Sequence, residues 1–214
     1  MSAYLLIGAA VAAVAVFFLL SSRIKGARRR AMSRVSEETL VDLEEYGPGA
    51  GILKESGLPF FMEGRSGVGR LLFRMPPEDG MQAFYFDHHA TLGSGGAARQ
   101  RACTVALFCS PRAGFPEFHL SAGGEAPDEA LGLEAVDIAE FGDMPEGIKL
   151  YGRDKAALKG FFTRDIAYSV KEHPGWSAQG AGKWLLVYKD CSLVSPGEYR
   201  DFMAEAKKLA LNLS

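Results

Sequence analysis

Cysteine and histidine are scarce, three and four residues in a chain of 214. Cys103, Cys109 and Cys191 cannot all pair within one chain, so a disulfide framework is excluded and a reducing compartment is expected. GxSxG, HExxH and CxxC are absent, which removes the local signatures of a serine hydrolase, a zinc protease and a thiol oxidoreductase. Charge is missing altogether from Ala3 to Leu20, where Leu, Ile, Val, Ala and Phe dominate, and no acidic residue precedes Glu37.

The first of those charge gaps reads as a membrane anchor over residues 1–22. A helix from Ser2 to Ser22 is about 31 Å long at ~1.5 Å per residue, enough for a hydrocarbon core of ~30 Å. Basic residues follow the apolar run and none precedes it, the reverse of a cleaved signal peptide. Arg23, Lys25, Arg28, Arg29, Arg30 and Arg34 form that flank and should meet lipid headgroups. Their charge places the following domain on the cytoplasmic face of the plasma (inner) membrane, as a single-pass protein. Gly8 with Ala12, and Ala9 with Ala13, are small residues four apart, a spacing that permits weak homodimerisation through the span.

Six of the 24 basic residues lie before residue 35 and no acid does. The remaining 18 therefore face 26 acidic groups, a formal −8 for residues 35–214. An acidic domain excludes nucleic acid as the expected partner, because phosphate binding rests on clustered Lys and Arg.

Ser36–Glu45 opens with a possible cap and sets Leu40 and Leu43 nearly one turn apart. It reads as a short helix or as the anchor helix continued through the arginines. Gly47, Pro48, Gly49 and Gly51 end it, so residues 23–58 are expected to be a basic stalk and linker. Residues 59–214 then form one soluble domain. From Pro59 to about Arg153, short apolar or alternating runs (LPFFME, VGRLLFRM, MQAFYFDHH, RACTVALFC, PEFHLSA, AVDIAEF, GIKLYG) are separated by Gly, Pro and Asp, the punctuation of strands. Asp154 caps an expected helix with Leu158, Phe161, Phe162, Ile166 and Val170 on one stripe. Trp176–Ala178 and Lys183–Lys189 form a hairpin, its second strand apolar and central. Ser195 and Glu198 make a capping box before a last helix, whose Tyr199, Phe202, Met203, Ala206, Leu209, Ala210 and Leu213 share one face. The fold class is α+β: a mainly antiparallel sheet backed by two helices, after the N-terminal transmembrane helix.

The richest stretch for chemistry is Phe86–Val105. With strands over Phe84–Leu92 and Arg99–Cys109, alternation puts His88 and His89 on opposite faces, so they cannot share a metal. Cys103 and Cys109 share a face but lie ~20 Å apart. Glu117 and His119 alternate with Phe118 and Leu120 as a polar outer face, too few ligands for a metal. No metal and no cofactor is implied. The glycines of Gly93–Gly96 and Gly64–Gly69 lack the phosphate-loop and dinucleotide patterns and read as turns. What remains is electrostatic: Asp87 and His89 are expected beside Arg99 and Arg101, as cross-strand pairs or as a ligand-binding face. Surface pairs of this kind predict a cost under ~1 kcal/mol for Arg101→Ala. Cys191, beside Lys189, is a candidate redox sensor.

The segments FYFDHHATLGSGG, RQRACTV, PEFHL, KLYGRDKAALKGFF and KWLLVYK, between Phe84 and Lys189, resemble a pattern in uncharacterised bacterial membrane-anchored proteins. The resemblance implies a single domain and carries no activity. Where that pattern tends to have a lysine after GSG, this chain has Gly96, which argues against an anion contact there. The leading expectation is a non-catalytic, membrane-tethered accessory domain that binds a protein partner at the cytoplasmic face. The alternative is a membrane-anchored hydrolase or ligand-binding enzyme using the Asp87–Arg101 face.

Overall fold

The computed structural model describes residues 26–93, 95–124, 126–138 and 144–214. The expected anchor at 1–22, its dimerisation motif, Arg23 and Lys25 lie outside the described residues. Among the described residues no helix is long and apolar enough to cross a membrane.

Helix α1 (26–39) runs through the arginines and ends where Leu40 turns left-handed at φ 56°. Then follow β1 (Leu43–Tyr46), α2 (Ala50–Glu55), α3 (Pro59–Met62), β2 (Arg65–Arg74), β3 (Gln82–Leu92), β4 (Arg99–Cys109), β5 (Phe115–Ser121), β6 (Glu134–Val136) and β7 (Lys149–Gly152). The order closes with α4 (Lys155–Phe161), α5 (Arg164–Glu172), β8 (Trp176–Gly182), β9 (Trp184–Lys189) and α6 (Tyr199–Asn212). The nine described strands form one antiparallel sheet in the order β1-β2-β3-β4-β9-β8-β5-β7-β6. The α+β class and the antiparallel sheet agree with the sequence pattern, and β9 is indeed central and apolar.

Helices cover both faces, however. One face carries α1, α4, α5 and α6, which pack Met32, Val35, Leu158, Ile166, Phe202 and Leu209 onto it. The other face carries α2 and α3, whose Leu53 and Phe60, with the connecting Leu58, pack against Phe84, Phe86, Val105 and Leu186. Burying each such side chain contributes ~1.5–3 kcal/mol. A strand covered on both sides need not alternate polar and apolar, and β3 does not: Phe84 to Ala90 are buried apart from the half-buried His89.

Several local expectations change for stated reasons. LPFFME is not a strand: Pro59 starts a single helical turn that turns Phe60 inward. The helix expected after Asp154 is two. Asp154 caps α4 by accepting from the Ala156 and Ala157 amides at 2.9 and 3.0 Å. Thr163 caps α5 by accepting from Ile166 N at 3.4 Å. The break lets Phe161 and Phe162 both pack on the Phe118 ring, at 5.4 and 5.2 Å between centroids. Gly67 and Gly69 lie inside β2 rather than in a turn. A Cβ on Gly69 would sit 2.9 Å from Gly47 and 3.0 Å from the Phe86 ring, so only glycine fits.

Residues 26–58, read from the sequence as part of a stalk, are built into this fold. Met32 and Leu58 are fully buried, and β1 extends the sheet beyond β2. α6 keeps the expected stripe buried, but the expected capping box does not close: Ser195 Oγ donates to the Glu198 carboxylate at 2.6 Å and accepts from no helix amide among the described residues.

Candidate functional site

The β3–β4 register decides what the hairpin can do. Asp87 stands opposite Thr104 and His89 opposite Ala102, whereas Arg101 pairs with Ala90 and Arg99 with Leu92. Directly opposed residues share a face. Both arginines therefore lie on the side of His88, and Asp87 and His89 on the other. The four residues expected to form one charged face are split across the sheet, and no Asp87–Arg101 pair forms.

On the α1 side, Asp87 is 1 % exposed. It accepts from Arg28 Nε at 2.7 Å, Arg28 Nη2 at 2.9 Å and Thr104 Oγ1 at 2.7 Å. Arg28 Nη1 donates to Val194 O at 2.9 Å, and Val194 N donates to Thr104 Oγ1 at 3.0 Å. A buried carboxylate held by a forked guanidinium and a hydroxyl is the arrangement that offsets its desolvation. Arg28, expected to flank the membrane span, is thus a structural partner of the sheet. Arg29 makes an exposed pair with Glu45 at 3.3 Å.

On the α3 side, the Arg101 guanidinium lies 3.8 Å over the Phe60 ring. It donates to Glu63 at 2.9 Å and to the Phe60 carbonyl. Gln179, fully buried, accepts from Phe60 N at 2.8 Å and fixes the α3 turn from across the sheet. The His88 ring sits among Phe60 and Phe61 at 5.3 and 5.2 Å, and a Cβ on Gly67 would come within 2.9 Å of its Nε2. Among the described residues, neither His88 nitrogen has a hydrogen-bond partner. Burial first, then the Arg101 charge, pushes its pKa down to about 3. His119 also faces this side, buried rather than on the expected polar outer face. Its Nε2 is 3.4 Å from the Tyr188 hydroxyl, and burial with Arg101 lowers its pKa to about 4. Both rings are neutral at ordinary pH.

Above this layer an open groove of about 1040 Å³ runs between the end of α3, the β3–β4 tip and the loop after β9. Glu63, Arg99, Arg101, Asp128, Asp190 and Cys191 line it. Cys191 lies on a turn where it and Asp190 are both left-handed, at φ 41° and 50°. Among the described residues no group of three or more His, Cys, Asp or Glu is placed to hold a metal ion. Nothing local in the sequence marks Glu63, Phe60, Gln179 or Arg28 as partners, because each meets its counterpart from far along the chain.

No protein-family model matches the chain, and neither does any curated protein. The fold is similar to the crystal structure of the mycobacterial trehalose monomycolate transport factor A, with a TM-score of 0.61 and 14 % identity. The match covers 88 % of this chain and 93 % of that one. At this identity the likeness is one of fold.

Proposed function

We propose that the chain is a non-catalytic accessory protein, tethered to the inner membrane through residues 1–22, whose cytoplasmic domain holds a protein partner in the groove beside Arg99. One observation carries the reading. The charges that a hydrolytic or ligand site at the hairpin would need are consumed by internal pairing, Asp87 on Arg28 and Thr104, Arg101 on Glu63 and Phe60. What is left facing solvent is a broad, mixed polar and apolar groove. The fold shared with a transport factor is compatible with an accessory role. The net −8 of residues 35–214 favours a partner surface with basic character over anionic lipid or nucleic acid. Arg28 clamps α1 to the sheet, so the chain from residue 26 onward belongs to the domain and is not a free stalk.

The test is photo-crosslinking of the full-length chain in its native membrane. Crosslinkers at Arg99 and Gln100 should give one discrete protein adduct, and one at the exposed Tyr168 on α5 should give none. Equal labelling from Tyr168, or no adduct from the groove, overturns the reading. Turnover of a generic ester or phosphate substrate by the purified chain, abolished by Arg99→Ala, would establish the enzyme alternative.

A further inference from the structure

Two thiols meet beneath the groove. Cys103 is fully buried on β4, and Cys191 packs beside it from the loop after β9, in the same apolar cluster as Tyr188 and Val105. The loop is held there by the backbone, since Thr104 N donates to Ser192 O at 2.9 Å and Thr104 Oγ1 accepts from Val194 N at 3.0 Å. Cys103 Sγ donates to the Thr104 carbonyl at 3.6 Å, and the neighbouring Cys191 thiol is the group that acts most strongly on its titration. Cys191 is half-buried and lines both the large groove and a second opening of about 270 Å³ bounded by Ser121, Ser177 and Tyr188. Cys191 therefore borders solvent-open space, and Cys103 is fully buried in the same cluster. Cys109, at the far end of β4 opposite Gln82, is remote from both.

We propose that Cys103 and Cys191 form a redox-responsive dithiol, with Cys191 the peroxide-accessible sulfur and Cys103 the resolving one. Peroxide oxidises the Cys191 sulfur to the sulfenic acid, its O–O bond breaking and one oxygen leaving as water. The Cys103 sulfur then attacks Cys191; the S–S bond forms, the S–O bond breaks, and the departing hydroxide leaves as water with the Cys103 proton. Two thiols and one hydrogen peroxide give one disulfide and two waters, and a dithiol reductant reverses it. The neighbouring Cys191 thiol first, then burial, holds the Cys103 thiol well above its ordinary pKa. Cys103 therefore stays protonated, and first attack falls on Cys191. Closing the bond withdraws the Cys191 sulfur from the groove wall. The pairing stands whether or not the groove docks a partner.

The experiment treats the full-length chain in native membranes with hydrogen peroxide, acid-quenches it, and counts thiols with a maleimide polymer after denaturation. Two of the three thiols should be lost together and both restored by dithiothreitol. Unreduced peptide mapping should find Cys103 joined to Cys191. In Cys103→Ser the disulfide should fall to background, with Cys191 stopping at a sulfenic acid trapped by dimedone. Peptide mapping of the wild type decides the matter even if that variant misfolds. Loss of Cys191 alone in the wild type, a sulfinic end product, or a disulfide involving Cys109 overturns the assignment.

Discussion

His88 and His119 share one side of the sheet, out of water, and each binds its proton less readily in the folded chain than in the unfolded one, where a histidine titrates near ~6.5. The folded state is favoured above that pH. This contribution is lost as pH falls from ~6.5 toward about 3 for His88 and about 4 for His119. Within the window each histidine should give a slope of about 1.4 kcal/mol per pH unit. In urea unfolding near pH 5, His88→Phe should roughly halve the combined slope. Any packing change it causes shifts stability equally at every pH, so an unchanged slope would contradict burial of a neutral His88. Arg101 belongs to the same layer. A solvated cross-strand pair would predict under ~1 kcal/mol for Arg101→Ala, but its side chain is only 9 % exposed and bonded to Glu63 and the Phe60 carbonyl. The expected loss is about 1.5–3 kcal/mol, read by the same method.

At the scale of elements, α1 is where sequence periodicity and packing part company. Its arginines look like a membrane flank, yet Arg28 reaches the buried Asp87 while Met32 and Val35 enter the core. Arg28→Met leaves a buried carboxylate with Thr104 as its remaining partner and should cost about 3–5 kcal/mol. A chain starting at Pro59 loses Arg28, Met32, Val35, Leu53 and Leu58 together, which is comparable with a domain's entire ~5–15 kcal/mol. Residues 59–214 should therefore lack a cooperative unfolding transition that residues 26–214 retain. Cooperative unfolding of the shorter chain would show α1 to be dispensable. At the other end, the Phe202 ring on α6 stacks 5.3 Å from Trp176 at an interplanar angle of 13°. Phe202→Ala should cost about 3–5 kcal/mol, and a change under ~1 kcal/mol by urea unfolding would remove the helix from the core.

For the whole molecule, the prediction is topological. Six basic residues follow the apolar run within residues 23–34, so a tag after Ser214 should be cytoplasmic. Labelling of that tag by an impermeant reagent in intact cells would invert the orientation and remove the partner proposal with it. Proteolysis gives a second reading of the same arrangement. With α1 clamped to the sheet by the Arg28–Asp87 pair, the segment between residues 26 and 58 should resist cleavage, and Arg28→Met should open it.

The amino-acid sequence by itself determined what depends on neighbours along the chain. The strand runs from Val68 to Cys109, the central apolar β9, the buried stripe of α6 and the opposed directions of His88 and His89 follow from periods of two and 3.6. The same arithmetic correctly separated Cys103 from Cys109. Only the tertiary structure decided which strand faces are dry, because that depends on what packs over them: α1 covers Asp87, and α3 covers His88. It also chose the partners of the buried charges and thiols, Arg28 for Asp87 across 59 positions and Glu63 for Arg101 across 38. Charge pairing and burial act through space, and alternation along a strand says which side a residue takes but not what waits there.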